Sequence, residues 1–164
     1  MNSPENAPRI ALGPLVLVAL VVVAALTRLL PQPPNFSPAI AIALFAGAYF
    51  ANRRWALLVP LAAMFVSDLA LAAAHGGAYL QHLGSPVALS VYACIALSAV
   101  MGFGLRGRVT GARVLGGSLA GSVLFFVVTN FMVWLGTTPA SANLACKAGL
   151  APCYAAAIPF FHWT

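Results

Sequence analysis

The sequence predicts an all-α protein that crosses a membrane several times as a bundle of helices. Its residues are 62% hydrophobic and only 6% charged, and the mean hydropathy is +0.97. A chain of 164 residues has too little interior to hide that much apolar surface from water. The apolar residues also fall in runs close to the roughly 20 residues that a helix needs to cross a bilayer. We therefore expect a single transmembrane domain over residues 1–164.

Six apolar runs follow one another, and each predicts a helical span. They cover residues 10–30, 36–51, 55–74, 87–105, 114–136 and 152–164. We expect five full spans and a sixth that is truncated at Thr164, with a re-entrant segment as the alternative for the sixth. A cleavable signal peptide is the alternative for the first run, but Glu5 ahead of it and the length of the run favour a retained helix.

The basic residues predict the orientation of these spans. A net charge of +6 and a pI near 9.9 are typical of nucleic-acid-binding proteins, but here the charges fall in short clusters between apolar runs, so we expect no nucleic acid partner. With a cytoplasmic N-terminus, the inside segments hold six basic residues, Arg9, Arg53, Arg54, Arg106, Arg108 and Arg113. The outside segments hold only Arg28 and Lys147. This bias is typical of multi-pass proteins of a cytoplasmic membrane.

Asp68 is the first candidate for a functional residue, because it is the only acidic residue after Glu5 and lies inside the third apolar run. A carboxylate in the hydrocarbon region is costly unless it is paired or faces a wet cavity. His75 follows seven residues later on nearly the same helix face. Arg28 is the expected charge partner, and hydrogen bonding of Asp68 to neighbouring hydroxyl or amide groups is the alternative.

A ligand site, if the protein has one, should open toward the outer loops, which are rich in turn-forming and hydrogen-bonding residues. Longer polar loops without a ligand are the alternative. The expected lining of such a site is polar and comes from several spans, namely Asn35, Asp68, His75, Tyr92 and Asn130.

Small residues at four-residue spacing predict close helix packing in the second and fifth spans. The second span carries Ala39, Ala43 and Gly47, and the fifth carries Gly117 and Gly121. The alternative is that the same faces contact a partner subunit.

The cysteines and histidines predict little chemistry. Cys146 and Cys153 lie on the predicted outer side, where they either form a disulfide or remain thiols. His75 and His82 lack the spacing of a zinc motif, so we expect no metal. No phosphate-binding loop, nucleophile elbow or Cys-x-x-Cys pair occurs, and we expect no enzymatic activity. The sequence indicates no particular cofactor.

Five segments resemble a family of small bacterial multi-pass membrane proteins of unknown function. They are residues 28–38 with 45–50 (RLLPQPPNFSP, FAGAYF), 59–68 (VPLAAMFVSD), 121–131 (GSVLFFVVTNF) and 153–161 (CYAAAIPFF). The family is similar in layout to the substrate-binding S components of energy-coupling factor transporters. That likeness implies a protein of the bacterial inner membrane with six helices, both termini in the cytoplasm, and a vitamin or metal site capped by the outer loops. This chain departs from the S components in one respect. The Ala-x-x-x-Ala motif that S components often carry in the first helix is missing there, and the nearest equivalent is Ala39 and Ala43 in the second helix.

Two functions from different classes follow. The first is binding and transport of a small molecule with a partner subunit that supplies energy. The second is a non-catalytic accessory subunit of a larger membrane complex, respiratory or photosynthetic. Both place the protein in a lipid bilayer beside other membrane proteins.

Overall fold

The computed structural model describes residues 13–27, 38–76 and 83–158, and every regular element in them is a helix. The helices are α1 (Pro14–Leu26), α2 (Ala39–Tyr49), α3 (Arg53–His75), α4 (Pro86–Phe103), α5 (Gly111–Leu135), α6 (Leu144–Ala148) and α7 (Leu150–Ala157). Three of them, α3, α4 and α5, are long and apolar enough to cross a membrane. The predicted helical class is therefore confirmed. The count of five full spans is not, because the described parts of α1 and α2 have only 13 and 11 residues.

Polar caps set the first residue of the three long helices. The side-chain oxygens of Asn52, Ser85 and Thr110 accept hydrogen bonds from backbone N–H groups in the first turn of α3, α4 and α5. Such caps satisfy donors that have no partner within the helix. The helices begin at Arg53, Pro86 and Gly111, one to three residues before the predicted starts at residues 55, 87 and 114. The apolar runs used for the prediction do not include the first turn that follows a cap.

The last part of the chain differs from the prediction. Residues 137–151, which separate the fifth and sixth predicted spans, contain the short helix α6, whose first turn is capped by the Asn143 side chain. Gly149, with a φ of 138°, separates it from α7. The predicted sixth span over 152–164 corresponds to α7, which ends at Ala157, while residues 159–164 lie outside the described ranges.

The long helices alternate in direction, so their connections fall at two ends of the bundle. The α2–α3 turn (residues 50–52) and the α4–α5 connection (residues 104–110) meet at one end, which we call the basic end because Arg53, Arg54 and Arg106 lie there. Their proximity follows from hydrogen bonds that Arg106 makes to the end of α2. The C-terminus of α3, the N-terminus of α4 and the C-terminus of α5 lie at the opposite end.

Helix α2 occupies the centre of the bundle, in contact with α1, α3, α4 and α5. It crosses α4 at Gly47 and Gly102, where a Cβ atom built on Gly47 would lie 2.9 Å from the Gly102 Cα. Ala39, Ala43 and Ala99 around this crossing are almost fully buried. Close approach of two backbones requires residues this small, because no side chain fits between them.

Helix α5 packs against α2 and α4 through its small residues, and against α6 and α7 elsewhere along its length. Gly121 is its buried residue, and a Cβ atom there would lie 2.9 Å from Ile40 Cγ2 and 3.6 Å from Ser98 Oγ. A Cβ atom on Gly117 would lie 3.5 Å from the Leu44 side chain. The small residues that the sequence singled out on α2 and α5 therefore face other helices of the same chain.

Candidate functional site

The candidate site is built on a hydrogen bond between α3 and α4. The Tyr92 hydroxyl donates to Asp68 Oδ2 over 2.6 Å. Asp68 is only 5% exposed. A bond this short is typical of hydroxyl donation to a carboxyl oxygen. The buried acid therefore points into the bundle and has a hydrogen-bond donor from a neighbouring helix.

Helix geometry places the pair beneath the end opposite the basic end. Asp68 comes seven residues before the last residue of α3, and Tyr92 comes six residues after the first residue of α4. At 1.5 Å per residue both lie about 10 Å from the helix ends. Because α3 and α4 run in opposite directions, the two side chains meet at the same depth.

Apolar neighbours surround the Tyr92 side of the pair. The Tyr92 ring packs against a buried cluster that includes Ala39, Met64 and Ile95. In such surroundings a hydrogen bond is electrostatically stronger than in water, and losing one partner costs more. The nearby buried hydroxyls of Ser67 and Ser90 bond to carbonyls of their own helices, Met64 and Val87.

Among the other predicted ligand residues, Asn130 is the one whose side chain the structure describes. Asn130 donates through Nδ2 to the Phe126 carbonyl of its own helix, over 2.8 Å. Arg28 and Asn35 lie outside the described residues, so the predicted pairing of Arg28 with Asp68 remains a prediction. His75 is the last residue of α3, and its side chain is not among those described.

A cleft of mixed polarity lies near the C-terminus of α5 and encloses about 490 Å³. Its lining consists of Trp134, Leu135, Thr137, Thr138, Pro139, Cys146 and Lys147. Cys146 and Cys153 form a disulfide at its edge, which ties α6 to α7. Asp68, Tyr92 and Asn130 do not line this cleft, so it is separate from the buried pair.

Sequence reasoning missed the role of Arg106, which it counted only as a topology charge. The guanidinium donates to the carbonyls of Gly47 (2.9 Å), Phe50 (2.8 Å) and Ala51 (3.3 Å). It also lies over the Phe103 ring, 4.4 Å from the ring centre. These carbonyls at the end of α2 would otherwise lack donors, and a cation suits the negative end of a helix dipole.

The electrostatic setting of Arg106 is consistent with this capping role. Partial burial, and then the positive charge of Arg53, lower the pKa of Arg106 from its ordinary value. An arginine remains protonated under such a shift because its ordinary pKa lies far above neutral pH. No local pattern in the sequence signals this contact, because Arg106 follows Gly47 by 59 residues.

No group of three metal-ligating side chains occurs among residues 13–27, 38–76 and 83–158. A buried acid hydrogen-bonded to a tyrosine could accept a proton, or bind a cation or a hydrogen-bond donor. In the described structure the carboxyl group is the hydrogen-bond acceptor of this arrangement.

The fold and the site together define a helical membrane protein with a polar pair buried between two of its spans. The chain belongs to DUF6580, a family of unknown function, whose model matches residues 9–164. The predicted resemblance to a family of unknown function is thereby confirmed. No curated protein and no solved structure matches the chain.

Proposed function

We propose that the protein binds a small molecule inside the membrane and takes part in its transport, with Asp68 and Tyr92 as polar contacts in the binding site. The observation that supports this proposal is the buried hydrogen bond between Tyr92 and Asp68 in two apolar, membrane-length helices. A carboxyl group at the centre of a membrane helix carries a penalty of about 2.5–3.5 kcal/mol on insertion scales. A helix bundle with a purely structural role would be more stable with an apolar residue at this position.

The chemistry of the pair restricts the ligand class. A carboxyl oxygen that accepts from a tyrosine hydroxyl can accept equally from an ammonium, amide or hydroxyl group of a ligand. The proposed ligand is thus a small molecule with a cationic or hydrogen-bond-donating group, which enters from the end opposite the basic end. The likeness in layout to transporter S components remains a prediction, as does the partner subunit that such a role requires.

We further propose that the basic end faces the cytoplasm of a bacterial cell and that the protein lies in the inner membrane. The unequal distribution of basic residues between the two sides supports this orientation.

The orientation can be tested by cysteine labelling. Val109 at the basic end and Ala140 after α5 are both exposed and can be replaced by cysteine in a Cys94→Ala background. A membrane-impermeant thiol reagent applied outside should label Ala140→Cys and spare Val109→Cys. The reverse pattern would reject the orientation.

The binding part of this proposal is tested by identifying the small molecules that remain bound to the purified protein. The full chain is purified in lipid nanodiscs, and the retained small molecules are extracted and compared by mass spectrometry. Asp68→Asn should leave the protein folded but reduce a retained molecule by about 5- to 150-fold, which corresponds to losing 1–3 kcal/mol of a charge-assisted hydrogen bond. Tyr92→Phe should reduce it in the same direction.

Thr129→Val is the matched control, because the bond that the described structure gives the Thr129 hydroxyl is within its own helix, to the Phe125 carbonyl over 2.7 Å. The same molecule should be retained at the level of the unaltered protein. Equal retention in Asp68→Asn and Thr129→Val would contradict the binding proposal.

The second candidate function is that of a non-catalytic subunit in a larger membrane complex. It is favoured by α5, where large apolar side chains such as Leu115, Leu119 and Val123 are about 60% exposed. If Asp68→Asn changes no bound molecule, while a bulky substitution on the outer face of α5 releases the protein from a larger complex, this function replaces the first.

A further inference from the structure

Two apolar grooves run along the seam between α1 and α3. The first, of about 380 Å³, begins at the basic end and is lined by α1 residues, by the end of α2 and by Trp55. The second, of about 260 Å³, is lined by Val22, Ala25 and Leu26 of α1 and by α3 residues from Val59 to Ala70. Val18 and Trp55 line the first groove, and Val22 and Val59 line the second. Residues four positions apart lie on the same face of a helix, so the two grooves follow the same faces of α1 and α3. They form one seam that leads from the basic end toward the middle of the bundle.

The mouth of this seam has the composition of a lipid headgroup region. Tyr49 and Trp55, which line the first groove, are 41% and 58% exposed. Tyrosine and tryptophan are enriched at the level of the headgroups because their rings are partly polar. Arg53 and Arg54 lie between Asn52 and Trp55, two residues that line the groove, and both arginines are exposed.

Arg106 increases the positive charge at the same place. Its guanidinium and that of Arg53 lie over the same Phe103 ring, 4.4 Å and 5.6 Å from the ring centre. Since Arg106 is held by the carbonyls of α2, it cannot move away without losing those bonds. The mouth of the seam therefore has the positive charge of Arg106, held in place, and two exposed arginines beside an apolar groove.

We propose that the seam is a binding site for one anionic phospholipid, whose phosphate is bound by Arg53 and Arg54 and whose acyl chain lies along the α1–α3 grooves. Guanidinium groups bind phosphate oxygens in a bidentate manner. A zwitterionic lipid would fill the grooves equally well but would gain less from the arginines. The complementarity of charge at the mouth thus selects the anionic headgroup.

The test uses Trp55 as a reporter in the first groove. A variant with Trp134→Phe and Trp163→Phe keeps Trp55 as its single tryptophan. It is placed in vesicles of phosphatidylglycerol and phosphatidylcholine at fixed ratio, with bromine atoms on the acyl chains of one lipid or the other. Brominated phosphatidylglycerol should quench Trp55 at a mole fraction about fivefold lower than brominated phosphatidylcholine, which corresponds to a headgroup preference of about 1 kcal/mol in total.

Charge variants separate a built site from general attraction to the membrane. Arg53→Gln with Arg54→Gln should abolish the preference, and the two replacements by lysine should retain part of it. Arg113→Gln is the control matched to Arg53→Gln alone, because each removes one positive charge and Arg113 lies on α5, at the basic end but on a helix that does not line the grooves. It should leave the preference unchanged.

Three results would overturn the proposal. Equal quenching by both lipids in the protein with all its arginines would mean that the seam does not select the headgroup. Loss of preference in Arg113→Gln as large as in Arg53→Gln alone would indicate diffuse surface charge. Loss of preference on addition of soluble glycerol phosphate would assign the arginines to a free phosphate compound rather than a lipid.

Discussion

The Tyr92 hydroxyl lies 2.6 Å from Asp68 Oδ2, which joins two residues that are 24 positions apart in the chain. The bond connects α3 to α4 in the apolar interior, where an unmade hydrogen bond is costly. It therefore has a structural effect whether or not a ligand also uses it. Stability measurements and binding measurements can be made on the same variants.

Tyr92→Phe should lower the free energy of unfolding by about 1–3 kcal/mol, because it removes the donor and leaves a buried carboxyl oxygen with one partner fewer. The measurement is unfolding of the purified protein in mixed detergent micelles with increasing denaturing detergent. Tyr49→Phe is the control, since the Tyr49 ring is 41% exposed, and it should change stability by less than about 0.5 kcal/mol. Equal effects of the two changes would contradict the importance of the bond.

Gly121→Leu should destabilise the bundle by about 1–3 kcal/mol, because even a Cβ atom at this position approaches Ile40 Cγ2 to 2.9 Å. The control is Gly116→Leu on the same helix, because a Cβ atom built at Gly116 meets no atom within 4 Å. It should be neutral, or stabilising by up to about 1 kcal/mol through higher helix propensity. Thermal aggregation midpoints of the two variants provide the comparison, and a tolerated Gly121→Leu would place α5 farther from α2 than the structure has it.

Arg106→Gln should destabilise the protein by about 2–4 kcal/mol, because three carbonyls at the end of α2 lose a charged donor. Arg106→Lys should recover only part of this loss, since an ammonium group cannot reproduce the planar set of donors. Arg108→Gln removes an exposed charge from the same connection and should have little effect. Unfolding curves of the three variants, recorded side by side, test the capping role, which would be rejected if Arg106→Gln and Arg108→Gln behaved alike.

The disulfide predicts a distinct pattern of thiol reactivity. After denaturation without reductant, an alkylating reagent should modify Cys94 alone, because Cys146 and Cys153 are joined. Cys146→Ser should add Cys153 to the modified set and should destabilise the α6–α7 segment by about 2 kcal/mol through loss of a short covalent loop. Peptide mass mapping provides the measurement. Modification of all three cysteines without reductant would show that the bond does not form in the cell.

Much of the fold could be predicted from the sequence because helices depend on local patterns. Apolar runs located α3, α4 and α5 to within a few residues, since length and hydropathy act along one segment. The short helix α6 was missed because its five residues have no apolar run and depend on an Asn cap and the nearby disulfide. Asn130 was expected to line a ligand site together with residues of other spans, whereas its amide donates to the Phe126 carbonyl of α5. The direction of this side chain depends on how α5 is rotated about its own axis.

The sequence by itself determined that the chain is helical, that it belongs in a membrane, and that Asp68 is an acid in an apolar segment, because composition and local spacing carry that information. Only the tertiary structure decided that Tyr92 is a partner of Asp68, that Arg106 caps α2 and that Gly47 and Gly121 face helices of the same chain. These contacts join residues that are distant in sequence. They depend on how the helices cross and rotate against one another, which the pattern within any one helix does not specify.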